Sequence, residues 1–259
     1  MKRIIFAAVL LCGAILLYAQ APSAESIMNS AKNRITSDTV SSRSRMEITA
    51  RNGSTTDRVI VQFSKDGPHG TRTVIEFRTP ANIAGTRFLT MDNASCGTDQ
   101  IIFLPSVGRT RRIGASEGSG NFMGTDFSYD DISAMDREVA LDTHTLLREE
   151  AVSGRACYVV QSVSRDASYQ YSKTITWVDK ENYVIYKSEM YNRRGELAKT
   201  MEMSDFKDIQ GRLSPMQTKV STIAAGTSTT IFMENMKYDD PIPEGVFTTA
   251  YLETGRVPR

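Results

Sequence analysis

Apolar positions along this chain change period once. Between Ser23 and Ile35 they recur at helical spacing, with Ile27, Met28, Ala31 and Ile35 on one stripe and Ser23 placed to cap the first turn. Beyond Ile35 the period is two. Met46, Ile48 and Ala50 alternate with Arg45, Glu47 and Thr49, and Val59, Val61 and Phe63 alternate with Arg58, Ile60 and Gln62. The same alternation predicts strands near 71–78, 86–92 and 99–104. After a long interruption it resumes near 143–152, 156–164, 169–179, 183–192, 197–207, 212–223 and 226–237. Turn residues mark the joints, as in Arg51-Asn52-Gly53-Ser54, Arg193-Arg194-Gly195 and Gln210-Gly211. Hairpin spacing of this regularity predicts an antiparallel meander in a mainly β chain with a few helices. No repeat of fixed period and no polar linker divides it, so residues 22–259 are expected to form a single domain.

The interruption is the segment from Gly108 to Asp131, read as a loop with a short helix following near 130–136. It opens with Arg109, Arg111 and Arg112, passes through a Gly/Ser run, and ends in Phe122, Met123, Phe127 and Tyr129 among acids. Loops of this length within a domain are usually functional or disordered. Large apolar residues argue against simple disorder.

The first 21 residues have the build of an export signal. Lys2 and Arg3 precede the apolar run Ile4–Leu17, and Ala19-Gln20-Ala21 has the small-x-small pattern of a cleavage site. Cleavage after Ala21 would leave 238 of the 259 residues, with 29 basic against 30 acidic side chains and a formal net charge of −1. That balance disfavours general nucleic-acid binding. Export permits a disulfide between Cys96 and Cys157, and the spacing leaves open whether they meet.

Catalytic constellations are absent. His69 and His144 stand in unrelated contexts, no Cys/His spacing matches a zinc site, and there is no nucleophile elbow or phosphate-cradling glycine loop. Asp126, Asp130, Asp131 and Asp136 lack the ligand ladder and closing glutamate of a calcium loop. In this reading Asp130 caps the short helix and no metal is expected. Neither an enzyme nor a cofactor is expected.

Arg111-Arg112-Ile113, followed by the block Phe122 to Asp131 (Phe-Met-Gly-Thr-Asp-Phe-Ser-Tyr-Asp-Asp), resembles the LolA-like outer-membrane lipoprotein-sorting proteins. The resemblance extends in strand count and order over nearly the whole chain beyond the export signal. It implies an open, incomplete antiparallel β-barrel of about eleven strands with helices covering the concave face. It also implies a periplasmic, monomeric carrier of lipid or lipoprotein acyl chains, working with an inner-membrane transporter or an outer-membrane acceptor.

In that frame the lid and cavity residues are Phe122, Met123, Phe127 and Tyr129 from the long segment. Met46, Ile48, Val61, Phe63, Trp177, Met201, Met203 and Met233 come from the strands. Methionine suits surfaces that repack around varied apolar guests, although cores use it in the same way. Arg109, Arg111 and Arg112 allow two readings: they bind a headgroup or partner, or they pair with local acids such as Asp126, Asp130 and Asp131. The alternative function is a non-catalytic accessory module that docks onto a membrane transport complex through this segment.

Overall fold

The structure, a computed structural model, describes residues 21–67, 70–93, 97–134 and 137–258. The expected export signal therefore lies outside the described residues save for Ala21, as do His69, Cys96 and Asp136. Helix α1 (Ala24–Asn33) forms where the stripe predicts it, and the Ser23 hydroxyl accepts from the Ser26 amide at 3.1 Å. No described helix is long and apolar enough to cross a membrane.

Thirteen strands follow among the described residues, where the alternation predicts twelve and the resemblance implies about eleven. They are β1 (Thr39–Thr49), β2 (Thr55–Gly67), β3 (Gly70–Thr79), β4 (Arg87–Asn93), β5 (Gly97–Leu104), β6 (Arg109–Arg112), β7 (Asp142–Val152), β8 (Arg155–Ser164), β9 (Tyr171–Asp179), β10 (Ile185–Asn192), β11 (Leu197–Ile209), β12 (Arg212–Thr222) and β13 (Thr227–Tyr238). All pair antiparallel in one sheet ordered β6-β5-β4-β3-β2-β1-β13-β12-β11-β10-β9-β8-β7. The meander is thus two meanders, fused where β1 meets β13, and β6 and β7 are left as free edges.

Directly opposed residues in neighbouring strands share a face, which lets one face be followed across the sheet. Val160 opposes Thr176, which opposes Ser188, then Met201, Val220, Thr229 and Ile48 in succession. On this face Met46, Ile60, Ile75, Phe77, Phe88 and Ile102 form one buried cluster. Here too α1 seats Ala24, Ile27 and Ala31 on Tyr158, Val160 and Val178.

This face is the inside of a curled sheet. In a flat sheet β5 and β9, nine places apart, would be roughly 43 Å from one another at ~4.8 Å per strand. Yet Gln100 on β5 contacts Asp130 while Tyr171 on β9 bonds the very next residue, Asp131. Only strong curling brings both within reach of one short helix.

The outer face carries Val74, Leu89, Ile101 and Phe103. A C-terminal segment covers them: a 3-10 turn (Glu244–Phe247) and helix α3 (Thr249–Thr254) contribute Val246, Phe247, Tyr251 and Leu252. The sequence reading does not assign this helix, because six residues offer too few turns for a stripe to show.

Candidate functional site

The inner face is crossed by the segment 113–134, and its build begins at the edge. Arg109–Arg112 is not loop but strand β6, paired with β5. The Ile113 amide then donates to the Gln100 carbonyl, and a 3-10 turn over Ala115–Glu117 reverses the chain. An isolated bridge between Asn121 and Ser128 closes a small loop, inside which the Phe122 amide donates to the Phe127 carbonyl at 2.7 Å. Met123 takes a left-handed conformation (φ 50) at the tip, and its carbonyl accepts from Arg58.

Helix α2 (Tyr129–Ser133) follows. Ser128 caps it, accepting from the Asp131 amide at 3.0 Å, while the Asp131 carboxylate accepts from the Ser128 amide at 2.8 Å. This reciprocal pair corrects the expectation that Asp130 is the cap. Two residues of the expected helix end, Met135 and Asp136, lie outside the described residues.

Three anchors hold the segment down. Phe122 is fully buried, with ring centroids 5.0 Å from Phe88, 5.7 Å from Phe77 and 5.4 Å from Tyr129. Phe127 and Ile132 join the same cluster, and Met123 packs at its margin. Asp126, 2 % exposed, accepts from the hydroxyls of Thr227 and Thr229 on β13. Asp131 accepts from Lys199 Nζ at 2.6 Å, Tyr171 Oη at 2.7 Å and Gln170 Nε2 at 3.0 Å. Burial, followed by the Asp131 charge, pushes the Tyr171 hydroxyl well above the ordinary phenol range. Burial likewise raises Tyr129.

The predicted strand residues divide between the two faces. Met46 is buried in the inner cluster, and Ile48 and Met201 pack against it. Met203, opposite Thr218, and Met233, whose sulfur accepts from Ser44 at 3.3 Å, share that face. Val61 does not: it opposes Glu76 on the outer side. Phe63 packs with the outer cluster under the C-terminal segment. Trp177 is also outside, buried with Cys157 and Val159, and the Lys187 ammonium lies 4.4 Å from its ring centre. Cys157 is free. Alternation shows that two sets exist; only pairing across strands shows which set faces in. Because Met46 opposes Arg58, the inner set of β2 contains Ile60 rather than Val61 and Phe63.

The arginines pair locally, but not with the acids expected. Arg111 bonds Glu117 at 2.9 Å and Arg112 bonds Asp99 at 2.8 Å, while Asp126 and Asp131 are taken by Thr227, Thr229 and Lys199. Arg109 is exposed on the free edge strand.

The apolar part of the inner face is filled by the segment itself. The cavities beside it have mixed polar and apolar linings. One of about 550 Å³ is lined by Gln62, Ser64, Thr73, Thr90 and Asp92 among others. A second, of about 780 Å³, lies against α2. No described group of three or more His, Cys, Asp or Glu is placed to hold a metal ion.

Comparison with known proteins agrees with this architecture. A domain assigned to outer membrane lipoprotein sorting from Vibrio parahaemolyticus superposes with a TM-score of 0.83 at 24% identity, covering 89% of this chain and 98% of that one. A DUF1329 family protein from Desulfovibrio piger gives 0.83 at 26% identity, with 88% and 97% covered. A LolA superfamily protein from Nitrosomonas europaea gives 0.72 at 24% identity, with 89% and 100% covered. No curated protein matches the sequence. A family model described as that of an uncharacterized protein matches residues 69–254. The chain belongs to the family of that model, and its fold is that of these lipoprotein-sorting and LolA superfamily structures.

Proposed function

We propose that this protein is a periplasmic carrier that takes lipid, or the acyl chains of lipoproteins, onto the inner face of its sheet, without catalysis. One observation carries the reading. The inner apolar cluster is completed not by a second sheet but by a short segment that contributes Phe122, Phe127 and Ile132. Met46, Met201, Met203 and Met233 on the same face supply adaptable walls. The export signal and the lipoprotein-sorting description of the Vibrio relative support a periplasmic site of action.

Magnitudes favour reversible loading. Displacing three buried side chains costs about 5–9 kcal/mol at ~1.5–3 kcal/mol each, and breaking a buried ion pair adds about 3–5 kcal/mol. An acyl chain of some fifteen methylenes gains about 12 kcal/mol. The two sides are comparable, as a carrier that must release its cargo requires. The delivering and receiving partners would be an inner-membrane transporter and an outer-membrane acceptor.

Mass spectrometry of organic extracts from natively purified protein tests the reading directly. Co-purifying lipid is expected, together with uptake of an apolar dye that changes in Phe122→Ala/Phe127→Ala. Protein free of lipid, with dye uptake the same in both forms, would sink it. The exposed Arg109 on the free edge favours docking as a second reading. There, Arg109→Glu would abolish binding to a transport complex and leave lipid uptake intact.

A further inference from the structure

The cavity of about 780 Å³ lies against helix α2, between strands β4 and β5 on one side and the loop ahead of β9 on the other. It is lined from β4 and β5 by Asp92 and Gln100, from α2 by Asp130 and Ser133, and from the β7–β9 side by Arg137 and Tyr169. We propose that this cavity binds a primary ammonium group, with Asp130 and Gln100 as its acceptors.

Most charged groups around it are already engaged. Asp92 accepts from Thr98 at 2.7 Å, Glu138 from Lys32 at 2.7 Å and Asp166 from the Ser168 amide at 2.7 Å. Arg137 donates to Asp142 at 2.8 Å and Ser164 at 3.1 Å, and lies over the Tyr169 ring. Asp130 differs. Among the described residues its carboxylate has one side-chain contact, from Gln100 Nε2 at 3.5 Å, the outer limit of a hydrogen bond. Gln100 is 9% exposed, and its Oε1 has no donor among the described residues. A half-turn of the amide exchanges its nitrogen and oxygen, which sets two acceptors side by side.

Asp130 is also fitted into place. A Cβ added at Gly118 would come within 2.2 Å of its Oδ1, so the carboxylate occupies room that only glycine leaves. Burial, and then the neighbouring Asp131 charge, hold this carboxyl above its ordinary range.

The unmet capacity of Asp130 and Gln100 is therefore for donors, while Arg137 Nε, elsewhere in the lining, is a buried donor with no acceptor among the described residues. An ammonium brings three donors and no acceptor, and it carries the charge that Asp130 lacks. A phosphate or sulfate would meet the wrong sign. A sugar would also meet the unpartnered Arg137 Nε, but it brings no charge to balance that of Asp130. The site lies outside the aromatic cluster around Phe122, but Asp130 rides on the helix that the carrier reading displaces, so the site belongs to the state in which that segment is seated. The ammonium could be the headgroup of an amphiphile or a free small amine.

Calorimetric titration of the mature protein at neutral pH with octylammonium, octyl glucoside, octyl sulfate and ethanolamine separates these cases. Octylammonium is expected to bind at least tenfold tighter than the other two octyl compounds. The near-isosteric Asp130→Asn is expected to erase that preference, and Gln100→Glu to increase it. Ethanolamine binding as tightly as octylammonium would assign the site to free amines. Ethanolamine binding with no octyl compound bound would uphold the site and count against the carrier. Equal binding of the three octyl compounds, a preference untouched in a folded Asp130→Asn, or no binding of either amine would overturn the proposal. Equal octyl binding would leave the carrier reading in place.

Discussion

Lys199, on β11, reaches Asp131 of helix α2 at 2.6 Å, and both side chains are about nine-tenths buried. The pair ties the inner segment to the half of the sheet farther from the strand out of which that segment runs. Removing one partner of a buried pair leaves an uncompensated charge, which typically costs about 3–5 kcal/mol. Lys199→Met is therefore expected to destabilise the protein by about 3 kcal/mol in urea unfolding. In a double-mutant cycle with Asp131→Asn, a coupling below about 0.5 kcal/mol would mean that the contact holds nothing.

Phe122 fills the space between Phe77, Phe88 and Tyr129, so truncation leaves a void in a packed cluster. Phe122→Ala is expected to cost about 3–5 kcal/mol and to alter apolar dye uptake. Phe63→Ala, on the outer face, should cost stability while leaving dye uptake as it was. Equal effects of the two changes on uptake would refute the division of faces.

The C-terminal segment is a cover for the outer face rather than a tail. Arg87 links Glu76, at 3.3 Å, to the Leu252 carbonyl, at 2.9 Å, and Gly255 ends α3 in a left-handed conformation with φ 68. A Cβ there would meet Arg87 Nη2 at 2.3 Å. Gly255→Ala is expected to lower stability by about 1–2 kcal/mol. Truncation after Asp240 should expose Val74, Leu89, Ile101 and Phe103 and produce association visible by size-exclusion chromatography. A monodisperse truncated protein of native stability would contradict the role of the segment.

Glu244 sits between Arg72, at 2.7 Å, and Lys65, at 2.6 Å, and these partners hold its carboxyl down to about 2 from 4.5. A depressed acid contributes stability that is present above its unfolded value and is lost as pH falls through the folded one. The stability of the native protein should therefore decline between pH 4.5 and about 2 more steeply than that of Glu244→Gln. Parallel profiles for the two proteins would show that the contact carries no linkage.

Local pattern determined much of this protein. The period-two alternation places strands β7 to β13 within about two residues, because each is long, half-exposed and bounded by turn residues. Ser23 and its stripe place α1, and the Phe122–Asp131 block marks the family. Strand β6 escaped the pattern because four residues with three arginines show no alternation, and α3 because it spans less than two turns.

Tertiary structure decided the rest, since it depends on pairing between residues distant in sequence. The fusion of β1 with β13 sets which alternate set faces inward, sending Val61, Phe63 and Trp177 out while Met46, Met201, Met203 and Met233 stay in. The partners of Asp126 and Asp131 lie 103 and 68 residues away. No local reading could prefer them to the nearby arginines, because charge alone does not fix an ion pair; curvature of the sheet does.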